Sequence, residues 1–246
     1  MGNCCEGVGS RPKKEMTLKY FPIAGRCEPI RLALLLGKFK YKEERLTGTE
    51  WENGPTKKST PYGQLPVLIV NGYTMGQSKT ILRYLGKLTK FKGKRLYPTN
   101  AFLSAQVDEV LDAFDDFFML LAPTYKIADK HEKEDFRRQL FSAGGQGANF
   151  MDIFEKRLQS SKSGWVVSEA GLTVADLVYF GYLCMIRSGS VDGLNLSLFS
   201  KYRKIMEHKD RVARIPEIQA YYKDKDRSNP KSVPYYEVFL PSSSSK

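Results

Sequence analysis

The sequence predicts a small α/β domain of order β-α-β then β-β-α, followed by an all-helical domain. Three observations carry this prediction. Strand-type patterning is confined to the stretch before Tyr97-Pro98, and beyond it the apolar residues recur at helical spacing instead. Charge divides at the same place: residues 1–100 hold 19 Lys and Arg against 7 Asp and Glu, while residues 101–246 hold 20 of each. Two halves with such different electrostatics read as two domains. At 246 residues, with 41% hydrophobic and 27% charged residues, the chain has the composition of an ordinary globular protein able to bury a core.

The elements follow in order. Residues 1–15, beginning MGNCCEGVGSRPKK, hold glycine, proline and cations and little to pack, so a flexible leader is expected there. Met16–Phe21 reads as a strand, broken by Pro22 and Gly25. Arg26–Leu36 then presents Ile30, Ala33 and Leu34 as an apolar stripe, with Gly37 as its stop. Lys40–Leu46 reads as a second strand and residues 47–60 as a polar loop or irregular helix. QLPVLIVNGYTM is the plainest β signal: an apolar run, opened by Pro66, meets Asn71-Gly72, the preferred pair for a two-residue hairpin turn. Gln77-Ser78 reads as the cap of a helix carrying Ile81, Leu82 and Leu85 on one face. The sheet domain is expected over 16–90 and a linker over 91–98.

The helical domain is expected over 99–228. VDEVLDAFDDFFMLL places Val107, Val110, Leu111, Phe114, Phe117, Phe118 and Leu121 at helical spacing. A similar pattern runs over 132–158, interrupted by Gly144-Gly145. GLTVADL pairs Thr173 with Asp176 as a capping box, and Leu172 with Leu177 as a hydrophobic staple. Pro216 heads a further short helix, and residues 229–246 read as an irregular tail.

Several functions are disfavoured by composition. No apolar run approaches the roughly 20 residues of a membrane helix, and the start lacks a secretory signal core. The four cysteines, Cys4, Cys5, Cys27 and Cys184, form no C-x-x-C pair or zinc spacing, so a reducing compartment is expected. With only His131 and His208, far apart, no metal centre is expected. The basic first half suits a nucleic acid, an anionic membrane or an acidic small molecule, or is simply a solvated surface. No nucleic-acid-binding motif is present, and none is expected as partner.

Five local stretches, in this order, carry a family resemblance: KYF…GR at 19–26, GQLPVL at 63–68, GQSKTILRYL at 76–85, VLDAFDDF at 110–117 and LTVADL at 172–177. From about residue 16 to about residue 225 the chain resembles a cytosolic glutathione transferase, a thioredoxin-like domain followed by a helical one. Tyr20-Phe21 with Trp51 downstream is most similar to the tyrosine-type sigma class. The resemblance implies a homodimeric, cytoplasmic enzyme that takes glutathione as co-substrate. Tyr20 would donate its hydroxyl hydrogen to the glutathione sulfur, with Arg26 in electrostatic support. Trp51, Lys58 and Gln64 would hold the glycyl end. Leu65, before a Pro66 that is cis in the family, would pair its backbone with the cysteinyl unit. Gln77 and Ser78 would take the γ-glutamyl end, and Asp116 of a second subunit would reach its amino group. About three extra residues separate Trp51 from Lys57-Lys58, so which lysine serves stays open. Cys27, at the start of the first helix, is a rival thiol, with a buried structural role as its alternative.

The physics of these roles stands on its own. A tripeptide with two carboxylates suits a helix N-terminus, where free N–H groups and partial positive charge point outward. A thiol of pKa ~8.5 is only about 3% thiolate at pH 7. Lowering it by about two units takes roughly 2.7 kcal/mol, the size of one good hydrogen bond to a charged acceptor with electrostatic help. A second, apolar pocket is expected between the halves, lined by Phe21, Ile23 and the helix around Phe114–Tyr125, for a hydrophobic electrophile of unspecified identity. The rival to an enzyme is a binding or scaffold module that keeps the fold without turnover. In the leader, Gly2 follows the initiator methionine as a myristate acceptor would, and Cys4-Cys5 stand where palmitate is added. Glu6 departs from the Ser or Thr that motif prefers. Together with the basic residues this predicts tethering to the cytosolic face of a membrane.

Overall fold

The computed structural model describes residues 15–194, 196–224 and 237–242. Strand β1 (Met16–Tyr20) buries Met16, Leu18 and Tyr20 and leaves Thr17 and Lys19 half-buried, the period-two pattern of its sequence. It pairs in parallel with β2 (Lys42–Arg45) and antiparallel with β3 (Val67–Val70), which turns at Asn71-Gly72 into β4 (Tyr73–Met75). The sheet order is β2-β1-β3-β4. Asn71 (φ 49°) and Gly72 (φ 83°) both lie in the left-handed region, the geometry that Asn-Gly provides at least cost.

Helix α1 (Glu28–Leu36) makes the crossover from β1 to β2 and is buried on nearly every side. It is covered by α4 (Ser78–Leu88), by α8 (Val174–Arg187) and by α10 (Pro216–Lys223). The polar segment after β2 forms two short helices, α2 (Gly48–Asn53) and α3 (Thr56–Ser59), the first started by a Thr47/Glu50 capping box. The segment expected as a plain linker is instead a small hairpin, β5 (Lys90–Phe91) and β6 (Lys94–Arg95). Its Lys92 (φ 47°) and Gly93 (φ 82°) repeat the left-handed pair of the Asn-Gly turn. A lysine hides that turn from sequence reading, because it is not a preferred residue for positive φ.

The helical half contains α5 (Ala101–Leu121), α6 (Lys130–Leu140), α7 (Gln146–Ser160), α8, α9 (Arg203–Ala213) and α10 (Pro216–Lys223). Its core is aromatic: Phe114 packs within 4.6 Å of Phe154 and 5.4 Å of Tyr179, ring centre to ring centre, and Phe117 stacks on Phe150 at 4.8 Å. Helix α8 is buried along almost its whole length, which is why its sequence is hydrophobic all round. At Gly181 it approaches α1 so closely that a Cβ would stand 3.1 Å from the Pro29 ring.

A buried polar network locks the two halves together. Arg31 and Glu28 are both sealed from solvent and paired at 2.8 Å; the Tyr222 hydroxyl donates to Glu28 at 2.7 Å from α10. Arg31 also donates to the Ile23 carbonyl at 2.8 Å and pairs with Glu43 of β2 at 2.8 Å. It thereby pins the loop that leaves β1. Within the segment expected to be an irregular tail, Phe239 is fully buried between Phe180 and Tyr222, at 5.6 and 4.7 Å.

Candidate active site

The first strand ends on Tyr20, and the chain turns at Gly25 (φ 42°) into a single 3-10 turn, Gly25–Cys27, before α1. That turn brings the Arg26 backbone N–H to the Tyr20 hydroxyl, which accepts it at 3.1 Å. Gly25 is required there, since a Cβ would come within 2.6 Å of the Tyr20 oxygen. The hydroxyl's own hydrogen finds no acceptor among the described residues. Burial pushes the Tyr20 phenol up to about 12, with neighbouring Cys27 adding to the rise and the Arg26 N–H opposing it. The group is a neutral donor over the physiological range.

Beside Tyr20 opens a cleft of about 380 Å³, within the roughly 300–1,000 Å³ of small-molecule sites. It is lined by Phe21, Arg26, Trp51, Gly63, Gln64, Leu65, Pro66, Gln77, Ser78 and Phe118. Seven of the residues expected from sequence thus meet around one space: Arg26, Trp51, Gln64, Leu65, Pro66, Gln77 and Ser78. Tyr20 itself, 6% exposed, does not line this space but adjoins its lining residue Phe21, at 5.4 Å between ring centres. The Leu65-Pro66 peptide bond is cis, and both residues line the cleft.

Two expected residues stand apart. Lys58 is exposed on α3 and does not line the cleft, while Lys57 binds Glu52 at 2.6 Å and lies 5.9 Å from the centre of the Trp51 ring. Asp116 is exposed on α5, outside the cleft of its own chain.

The N-terminus of α4 opens into the cleft. Gln77 precedes it with φ 65° and ψ 106°, and no side chain caps the helix. By residue type Gln77-Ser78 is a cap; the backbone conformation removes Gln77 from that role. The first N–H groups of α4 therefore remain available to an anion.

The electrostatics of the wall come from Arg26 and from two residues that the sequence does not single out, Asp115 and Lys79. Arg26 lies with its guanidinium carbon 4.0 Å from the centre of the Phe118 ring and pairs with Asp115 at 2.9 Å. Asp115 also binds Lys79 of α4 at 2.5 Å, so one carboxylate of α5 clamps cations from both sides of the cleft. The adjacent Asp115-Asp116 pair is the available signal, but which of the two turns inward depends on the rotation of α5. Phe118 packs against Tyr182 at 5.9 Å, making the α5 side aromatic. Ile23 and Tyr125, expected in the second pocket, are each 51% exposed.

Cys27 is fully buried, and burial pushes its thiol up to about 12. Burial of this kind favours the structural alternative over a reactive thiol. Among the described residues no group of three or more His, Cys, Asp and Glu is placed to hold a metal ion.

A thioredoxin-like sheet with a cis-proline loop, joined to a helical domain that supplies one wall of the cleft, defines a class of thiol-binding proteins. Residues 16–87 match the model of the glutathione S-transferase N-terminal domain and residues 102–225 that of the glutathione S-transferase C-terminal domain. The chain is 31% identical over 207 residues to glutathione S-transferase 4 of Caenorhabditis elegans, covering 83% of this chain and 93% of that one. A prostaglandin synthase D from Nilaparvata lugens superposes with a TM-score of 0.74 at 26% identity, covering 88% of this chain and all of that one. A monomeric glutathione S-transferase of Necator americanus superposes with a TM-score of 0.72 at 27% identity, covering 88% and 99%. The chain belongs to the cytosolic glutathione transferase family, an enzyme family, in its sigma-like branch.

Proposed function

We propose that the protein activates glutathione as the thiolate and directs it at small hydrophobic electrophiles, lipid-derived or peroxide compounds among them. One observation carries this reading: the Tyr20 hydroxyl is fixed by the Arg26 N–H while its own hydrogen stays uncommitted. A sulfur in the cleft beside it would receive that hydrogen and be held as the anion, with the Arg26 guanidinium adding positive charge nearby. Because burial keeps the phenol neutral to about pH 12, the donor persists while the thiol ionises. The γ-glutamyl carboxylate would lie on the open end of α4 beside Gln77 and Ser78. The backbone of Leu65 would pair with the cysteinyl unit. Trp51, Gln64 and Lys57 or Lys58 would take the glycyl end. The scaffold alternative is disfavoured by the meeting of seven expected residues around one space beside Tyr20, which a protein without turnover has no need to keep.

Tyr20→Phe tests the reading. Glutathione binding should stay within a few-fold, and turnover of a chromogenic electrophile at neutral pH should fall at least tenfold. The thiolate absorbance of bound glutathione should titrate at higher pH. An unchanged titration removes Tyr20 from the role.

Two finer readings belong to the same proposal. The protein acts as a homodimer in which Asp116 of each subunit completes the other's site; sedimentation as a fully active monomer would exclude it, and the Necator relative is itself monomeric. The leader carries myristate on Gly2 and palmitate on Cys4 or Cys5, holding the enzyme on the cytosolic face of a membrane. These residues lie outside the described ones, and the intact mass of the native protein decides the point. Among the described residues no helix is long and apolar enough to cross a membrane.

A further inference from the structure

Six of the nineteen cations of the first hundred residues gather at one end of the sheet. Strand β1 begins at Met16, and Glu15 ahead of it exchanges two hydrogen bonds of 3.0 Å with Asn71 in the β3–β4 turn. Because β2 is parallel to β1 and α1 runs back between them, the C-terminus of α1 and its exit, Lys38 and Lys40, lie at this same end. Helix α4, which returns from β4, ends here too and leads into the β5–β6 hairpin with Lys90, Lys92, Lys94 and Arg95. The two groups meet: Gly37 is so close to Thr89 that a Cβ would stand 2.6 Å from its Oγ1.

All six cations are exposed. Among the described residues none of the six is ion-paired with a carboxylate, whereas their neighbour Lys42 is neutralised by Glu44 at 2.8 Å. Tyr73, 70% exposed beside the Asn71-Gly72 turn, adds an aromatic ring of the kind that sits well among lipid headgroups. Residues 1–14, with Arg11, Lys13 and Lys14, join the fold at this end through Glu15. The glutathione cleft is at the other end, where β1 terminates on Tyr20, ~13–16 Å away along five strand residues.

We propose that this basic end is a docking face for an anionic lipid bilayer, which turns the active-site cleft away from the lipid. The face is made of turns and helix ends, presenting several charges without carboxylate partners together with an aromatic ring, and the sequence carries no nucleic-acid-binding motif. Each Lys or Arg brought to an anionic surface raises partitioning by about fivefold. The inference extends the tether reading of the leader by supplying the surface that would meet the membrane, yet it holds for a chain without acyl groups.

The test therefore uses the full chain made in a bacterial host that adds no acyl groups. Vesicles of phosphatidylserine and phosphatidylcholine in equal parts should pellet it, vesicles of phosphatidylcholine alone should not, and high salt should release it. Lys40→Glu/Lys90→Glu/Lys92→Glu should reduce pelleting at least tenfold with glutathione-conjugating activity unchanged. Lys156→Glu/Lys162→Glu/Lys201→Glu, the same charge change on the helical half, should reduce it less than threefold. Equal losses in the two variants, no preference for phosphatidylserine, or binding to duplex DNA in place of vesicles would each overturn the proposal. Absence of acyl groups from the native protein would remove the tether and leave this face standing.

Discussion

Helices α4 and α8 begin in opposite ways. At the start of α8 the Asp176 carboxylate gathers its partners from within the protein. The Thr173 N–H and Oγ1 donate to Asp176 at 2.7 and 2.9 Å, the Val166 N–H donates at 2.8 Å, and His208 Nε2 lies 2.9 Å from the same carboxylate. Both Thr173 and Asp176 are fully buried. At the start of α4 no side chain caps the helix, and the preceding Gln77 is held at φ 65°, a conformation that costs a non-glycine residue about 1–3 kcal/mol. A saturated helix end serves the fold alone, whereas the uncapped one beside the cleft is where we propose the ligand's carboxylate binds. The strain at Gln77 is sustained by the surrounding fold, while the open N–H groups wait for an anion from solution.

The contrast can be broken most forcefully at Asp176. Asp176→Ala would leave two N–H donors, the Thr173 hydroxyl and His208 buried without partners. A loss of about 3–5 kcal/mol is expected in urea unfolding, enough to leave little folded protein at 37 °C. A loss under about 1 kcal/mol would show that the end of α8 is not a fixed point of the fold. Asp176→Asn, which keeps some of the acceptors, should fall between these limits.

A second measurement compares the two ends directly. In native-state hydrogen exchange the amides of Ser78, Lys79 and Thr80 should exchange quickly in the free protein and slow at least tenfold with saturating glutathione. Those of Val174, Ala175 and Asp176 should be protected from the start and change little. Slow exchange at α4 without ligand would mean that its end is satisfied in some other way.

The smallest effect should come from Gln77→Gly. Glycine adopts positive φ freely, so the strain is relieved, while the added freedom of the unfolded chain offsets part of the gain. Stability should change by less than about 1 kcal/mol, and glutathione affinity should fall several-fold with the loss of the Gln77 side chain. A clear loss of stability would instead make Gln77 a structural residue like Thr173.

The sequence by itself determined those features whose partners are close along the chain. The Thr173/Asp176 box needs only a spacing of three residues, the Asn71-Gly72 turn only a dipeptide with the right conformational freedom, and the strand and helix periods only local alternation. That Arg26, Gln64, Leu65, Pro66, Gln77 and Ser78 belong together was legible through resemblance, because those residues stand in recognisable local stretches, and Trp51 followed from the class they resemble. The tertiary structure alone decided the rest. That Asp115 rather than Asp116 meets Arg26 follows from how α5 is rotated against the sheet domain. The clamp of Asp115 on Lys79, the docking of Phe239 beside Tyr222 and the Arg31–Glu28–Tyr222 lock join residues up to 194 positions apart. Gln77 has the look of a cap because capping residues are judged by type, whereas its strained φ is imposed by the chain on either side. Local patterns record what a segment can satisfy alone; which groups are left open, and onto what, is settled only when distant segments close around them.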